Sequence, residues 1–184
     1  FTAWSEDWNN HGPDAIDAAS GTWSKMIIRA DTWNGDRNNC DIGFYDTNGS
    51  PCLETVYGAH LIKTKHNENN YVVEQAFYDT DNNAIISPFY GFHRQVNEFD
   101  DYHRLVAIKY LDCNSQSSIN TQDYTSMSVY SYDHRGNMIK IEHFDSENNP
   151  SVCKNGYACV VYGYDNYGNI ASESYYGIDN NPIY

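Results

Sequence analysis

A recurrence of about 33 residues constrains this chain more than any other feature of its sequence. An aromatic or large apolar residue followed by a polar turn appears as Tyr45-Asp46-Thr47-Asn48-Gly49-Ser50-Pro51 and again as Tyr78-Asp79-Thr80-Asp81-Asn82-Asn83-Ala84. It returns at Leu111-Asp112-Cys113-Asn114, Phe144-Asp145-Ser146-Glu147-Asn148-Asn149-Pro150 and Tyr176-Gly177-Ile178-Asp179-Asn180-Asn181-Pro182. These anchors step by 33, 33, 33 and 32 residues. Other columns keep the register. An aromatic follows each anchor by twelve or thirteen residues, at Tyr57, Tyr90, Tyr124 and Tyr157. A second turn follows at Asn67, Asp100, Asp133 and Asp165, and running the period backwards places Trp33-Asn34-Gly35-Asp36 in that column. The array then reaches back to about residue 20, with units near 20–44, 45–77, 78–110, 111–143 and 144–176 and a partial unit at 177–184.

Each unit reads as strand, tight turn, strand and a longer polar connection. Gly and Asn supply the positive φ that tight hairpin turns require, and Asp and Asn side chains bond their own backbone there. Pro51, Pro150 and Pro182 fall in the other connection, where a missing N–H does not interrupt a ladder. An isolated hairpin is marginal in water, so such units must stack on their neighbours. The expected fold is all-β: tandem β-hairpin repeats in an elongated array, solenoid-like, closed as a barrel or laid out as a single twisted sheet. Residues 1–19, with Trp4 and Trp8 and no match to the period, read as an N-terminal cap before the array at 20–184. Within the cap, 13–19 suits one or two helical turns.

Composition narrows the function classes. The net charge is −14, with 11 Lys and Arg that gather nowhere, which speaks against a nucleic-acid partner or an anionic membrane surface. No apolar run approaches the ~20 residues of a spanning helix, so membrane insertion is not expected. The apolar mass lies in 17 Tyr, 7 Phe and 4 Trp, residues that cover a pleated face while a polar tip stays wet. The five cysteines, Cys40, Cys52, Cys113, Cys153 and Cys159, show no Cys-x-x-Cys spacing and support neither a zinc ribbon nor a thioredoxin-like site. The chain opens on Phe1 without Met or a basic, apolar leader, as a processed chain or an excised segment would.

The fourth unit carries Asn149-Pro150, Gly156-Tyr157-Ala158, Tyr164-Asp165-Asn166-Tyr167-Gly168-Asn169 and Tyr175-Tyr176. Through these it resembles bacterial tandem repeats of the form Tyr-Asp-x-x-Gly-Asn-Pro, Gly-Tyr-Ala, Tyr-Asp-x-x-Gly-Asn and a closing Tyr-Tyr. It is similar in kind to the YD repeats of large secreted shells and to other aromatic and glycine hairpin repeats of surface proteins. The likeness covers about four-fifths of the chain. The third unit departs from it, with Cys113-Asn114-Ser115-Gln116-Ser117-Ser118 in place of the Asn-Pro turn. The resemblance implies an extracellular or cell-surface segment of a larger multidomain bacterial protein, structural, adhesive or ligand-binding, with no catalytic residue to carry over.

Several residues invite a chemical role. Trp33, Tyr102 and Tyr167 recur at or beside the second turn, where exposed rings next to Asp133 and Asp165 suit stacking on a sugar or a protein ligand. His60 and His93 share a column completed by Ser126 and Cys159, and a ladder of such imidazoles would suit Zn²⁺ or Cu²⁺. A half-buried His beside a strand aromatic is the plainer account of both. Asp79-Thr80-Asp81-Asn82-Asn83 and Asp145-Ser146-Glu147-Asn148 have the oxygen-rich composition of calcium loops but lack the full loop spacing, and turn chemistry alone accounts for them. No cofactor is required. No Gly-x-Ser-x-Gly, His-Glu-x-x-His or P-loop occurs. The expected function is a non-catalytic repeat module binding glycan or protein, or spacing other domains. The alternative is a carbohydrate-active hydrolase with carboxylates on neighbouring turns.

Overall fold

The computed structural model describes residues 25–30 and 39–183. The expected cap at 1–19, the helical turns at 13–19 and Trp33 lie outside them. Among the described residues all regular structure is β. The chain divides into two compact units, the first ending at Gln95 and the second beginning at Val96. The first holds β1 (Lys25–Ala30), β2 (Asn39–Tyr45), β3 (Leu61–His66) and β4 (Val72–Tyr78). β5 (Arg94–Phe99) crosses the division, and the second unit continues with β6 (Leu105–Leu111), β7 (Met127–Tyr132), β8 (Met138–Phe144), β9 (Cys159–Tyr164), β10 (Ile170–Tyr176) and β11 (Pro182–Ile183). Strands pair antiparallel in chain order within each unit, as an open sheet.

The hairpins are set by one local device. Among the described residues, eight five-residue turns headed by an Asp or Asn, at Asp46, Asn67, Asp79, Asp100, Asp112, Asp133, Asp145 and Asp165, close identically, and a ninth from Gly177 makes the same backbone bonds without that side chain. In each of the eight, the first residue's N–H donates to the carbonyl of the fifth, and its own carbonyl accepts from the N–H of the fourth. Its side-chain oxygen accepts two more N–H groups, from the third and fifth residues, at 2.8–3.1 Å. The fourth residue takes positive φ: Gly49, Asn70, Asn82, His103, Ser115, Gly136, Asn148 and Gly168. His103 and Ser115 show that glycine is not obligatory there, because the Asp or Asn side chain stabilises the turn from outside the strained residue. The turn from Asp112, irregular in sequence, therefore has the same geometry as the rest.

The prolines sit just after such turns. Pro51 and Pro150 form isolated bridges to Tyr45 and Phe144, and Pro182 pairs with Tyr176. The flanking ladder bonds come from Asp46 N–H to Ser50 O and from Cys52 N–H to Phe44 O, so position 51 has no donor to supply.

Between the hairpins the connection folds into a second loop type: Glu54–Ala59, Ser87–Phe92, Asn120–Thr125 and the shorter 153–157. Gly58, Gly91, Tyr124 and Gly156 supply its positive φ. This corrects the sequence register at Tyr124. Tyr124 occupies the glycine position of its loop, and Asp123 stands where Tyr57 and Tyr90 stand in theirs.

In the first unit these loops cover one end of one sheet face. Ile42, Ile62 and Phe77 are successive cross-strand partners and share that face. Phe44, Ile62 and Phe77 are buried there together with the loop-end residues Ala59 and Phe92. The opposite face pairs Asp41 with Lys63 and Lys65 with Glu74, and Glu74 forms ion pairs with Lys65 (2.8 Å) and Arg94 (3.4 Å). In the second unit the covered face carries Tyr110, Ser126, Ser128, Tyr130, Ile141, His143 and Val160. No helix among the described residues is long and apolar enough to cross a membrane.

Candidate functional site

The residues expected to contact a ligand are placed by the hairpin turns. Tyr102 and Tyr167 are each the third residue of their turn, with N–H groups bonded to Asp100 Oδ1 (3.0 Å) and Asp165 Oδ1 (2.8 Å). Those bonds fix the backbone and leave the rings outside, 77% and 91% exposed. The Tyr102 tip is a composite. Arg104 is held by Asp100 through Nε at 2.8 Å, and its guanidinium lies 5.0 Å from the Tyr102 ring centroid and 4.7 Å from that of Tyr132. The same guanidinium donates to the Asp133 carbonyl at 3.4 Å, which brings Tyr102, Tyr132 and the start of the next turn together. The Tyr167 turn is closed by Asp165, whose Oδ1 accepts the Tyr167 and Asn169 N–H groups.

Asp133 and Asp165 are engaged in their own turns. Each accepts two backbone N–H groups on Oδ1, and the Asn137 and Asn169 amides donate to Oδ2 at 2.9 and 3.0 Å. The side-chain amide is the leading reason that both carboxyls sit below the ordinary value, with the backbone donors adding to it. Asp79 and Asp145 are lowered in the same way, with Asn83 and Asn149 backbone N–H groups leading. Their oxygens point at turn donors, so the calcium-like composition has a local explanation.

His60 and His93 are buried, and each gives Nδ1 to a main-chain carbonyl: Phe44 O at 2.7 Å and Phe77 O at 2.9 Å. Each ring meets a tyrosine edge-on, Tyr45 at 5.2 Å and Tyr78 at 5.3 Å. Among the described residues no group of three or more His, Cys, Asp or Glu side chains is disposed to hold a metal ion.

A polar cluster in the second unit was not singled out from sequence. Under the Asn120–Thr125 loop, Asn120 and Asp123 both hydrogen-bond the buried Tyr110 hydroxyl, and Thr125 Oγ1 donates to Asp123 Oδ1 at 2.9 Å. Ser128 Oγ and His143 Nδ1 share a bond of 2.9 Å between cross-strand neighbours. Burial, reinforced by the Asp123 charge, pushes the Tyr110 hydroxyl well up and raises that of Tyr130. Burial pulls His143 below its ordinary value, with Asp123 partly opposing. Ser126 Oγ is buried with no protein partner. Ser, His and Asp all occur here, but Ser128 is buried within β7, and a nucleophile must face its substrate. The available signal was a break in the columns, with Asp123 replacing a ring and His143 standing where Phe44, Phe77 and Tyr110 stand.

No protein-family model matches the chain, and no curated protein matches it.

Proposed function

We propose that this chain is a non-catalytic tandem-repeat module of a secreted or cell-surface bacterial protein, built from hairpin units of about 33 residues, that presents turn-borne tyrosines to a glycan or protein ligand. The observation that carries the reading is the pair of rings at Tyr102 and Tyr167, held at the same place in equivalent turns and left outside. Holding a ring out by backbone and carboxylate bonds preorganises a stacking surface and lowers the ordering cost of binding. The lowered carboxyls of Asp133 and Asp165 suit permanently ionised turn closers, whereas a glycosidase acid needs a raised one. The YD-like sequence pattern and the net charge of −14 fit an extracellular setting and a role outside nucleic-acid binding. The test is a glycan and protein array probed with the intact chain, followed by Tyr102→Ala and Tyr167→Ala. Each substitution is expected to weaken the hits stepwise, as for multivalent weak contacts. Undiminished binding by both variants would remove the proposed surface.

A further inference from the structure

The first unit carries a second exposed surface that the tyrosine tips do not use. Leu53, Val56, Ile86 and Phe89 are 46%, 48%, 48% and 40% exposed. Leu53 and Ile86 precede equivalent loops, and Val56 and Phe89 take equivalent places within them, so the four form two matched pairs. The two loops are in contact. The Tyr57 ring lies 5.7 Å from Tyr90 at 7° and 6.2 Å from Phe89, and a Cβ on Gly58 would come 2.7 Å from Pro88 Cδ. Buried groups anchor them from below: the Glu54 carboxylate accepts the Val56 and Tyr57 N–H groups at 2.9 and 2.7 Å, and Ser87 is fully buried. The apolar side chains are therefore displayed on a fixed base. The chain segments that carry them have one sign of charge. Residues 46–58 and 79–93 contain no Lys or Arg, while Asp46, Asp79 and Asp81 flank the loops.

We propose that this loop face docks a cationic, apolar-anchored segment of a partner protein, an inference that rests on the binding-module reading and adds a second contact surface to it. Apolar anchors supply the contact area and the flanking carboxylates favour positive charge in the partner. A second copy of the chain brings another −14 to the interface, and an anionic lipid surface is repelled likewise. The second unit offers an internal control. Ile119 and Val152 are exposed at the first position, but Gln122 and Asn155 replace the apolar residue at the second, and Lys154 adds a positive charge beside Asn155.

The probe is a short fluorescent peptide of alternating Lys and Leu, titrated with the intact chain at low and physiological salt. Lys/Ser and Glu/Leu peptides of the same length serve as controls. Ile86→Ser/Phe89→Ser and, independently, Leu53→Ser/Val56→Ser are each expected to weaken Lys/Leu binding about tenfold or more. Ile119→Ser/Val152→Ser and Tyr102→Ala/Tyr167→Ala should leave it unchanged. Circular dichroism reports whether each variant remains folded, and the two loop doubles provide independent readings. The proposal is overturned if both loop doubles bind like the parent, if Glu/Leu or Lys/Ser binds as well as Lys/Leu, or if sedimentation shows a dimer that the loop doubles abolish. Array hits lost only in the tyrosine variants, with no Lys/Leu binding, leave the module reading standing and remove this surface.

Discussion

The same loop type covers two different interiors. The loops of the first unit bring their own rings onto Phe77 in one stack: Tyr57 on Tyr90, Phe77 against Tyr90 (5.7 Å) and Phe92 (5.8 Å), and Phe89 perpendicular to Tyr90 at 4.9 Å. Beneath Asn120–Thr125 in the second lies a network of hydroxyls, a carboxylate and an imidazole. The loop backbone bonds are alike in both, so the backbone does not require an aromatic filling. Rings contribute non-directional burial plus about 0.5–1.5 kcal/mol per well-placed pair. The polar network instead demands that every partner be present, and the unpartnered Ser126 hydroxyl shows where this one falls short. One interior tolerates imperfect geometry and the other is conditional on it.

The largest expected effect tests the aromatic side. Phe77→Ala should cost about 3–5 kcal/mol, because a fully buried ring leaves a cavity that three neighbouring rings cannot refill. Denaturant unfolding followed by circular dichroism gives the total, and amide exchange locates the loss. A loss below about 1 kcal/mol would mean that the stack is not what holds the first unit together.

A matched pair of substitutions at the loop's positive-φ position comes next. Gly58→Ala should cost about 1–3 kcal/mol, since its Cβ meets the Pro88 ring at φ +64°. Tyr124→Gly, at φ 65°, should stabilise the second unit by about 1 kcal/mol, because its ring is exposed and the change relieves left-handed strain. If the two shifts share a sign, the loops are not equivalent.

The smallest effect concerns pH. His143 titrates lower in the folded chain than its ordinary 6.5, so the unfolded chain binds more protons as pH falls through that value. Stability should be intact above pH 6.5 and decline below it until the folded value is reached. His143→Gln should flatten that slope in acid-dependent unfolding curves, and an unchanged slope would assign it to another group. The lowered turn carboxylates act in a separate window, with their contribution present above pH 3.8 and lost below it.

The strands and hairpin turns were legible because they depend on neighbours in sequence. The β-branched and aromatic run at 157–162, the alternation from Ile170 to Tyr176 and an Asp or Asn at the head of most turns suffice to place them. The loop register was less legible, since Tyr124 at a glycine position looks like the recurring ring of its column until the backbone bonds of Asn120–Thr125 are seen. The polar cluster was hidden for a different reason. Asp123 and His143 lie twenty residues apart and meet only through strand pairing, and substitutions within a column read as noise when no partner is in view.

The turn closure has a consequence for how such a chain is inherited. All of its bonds join residues no more than four apart, so each hairpin carries its own nucleus and needs no distant contact to begin forming. Duplication or loss of one period in the gene leaves every remaining closure whole. Drift at the strained fourth residue, already seen as Gly, Asn, His and Ser, is absorbed by the side-chain bonds of the leading Asp or Asn in eight turns, and the turn from Gly177 keeps its backbone closure with Asn180 at that place.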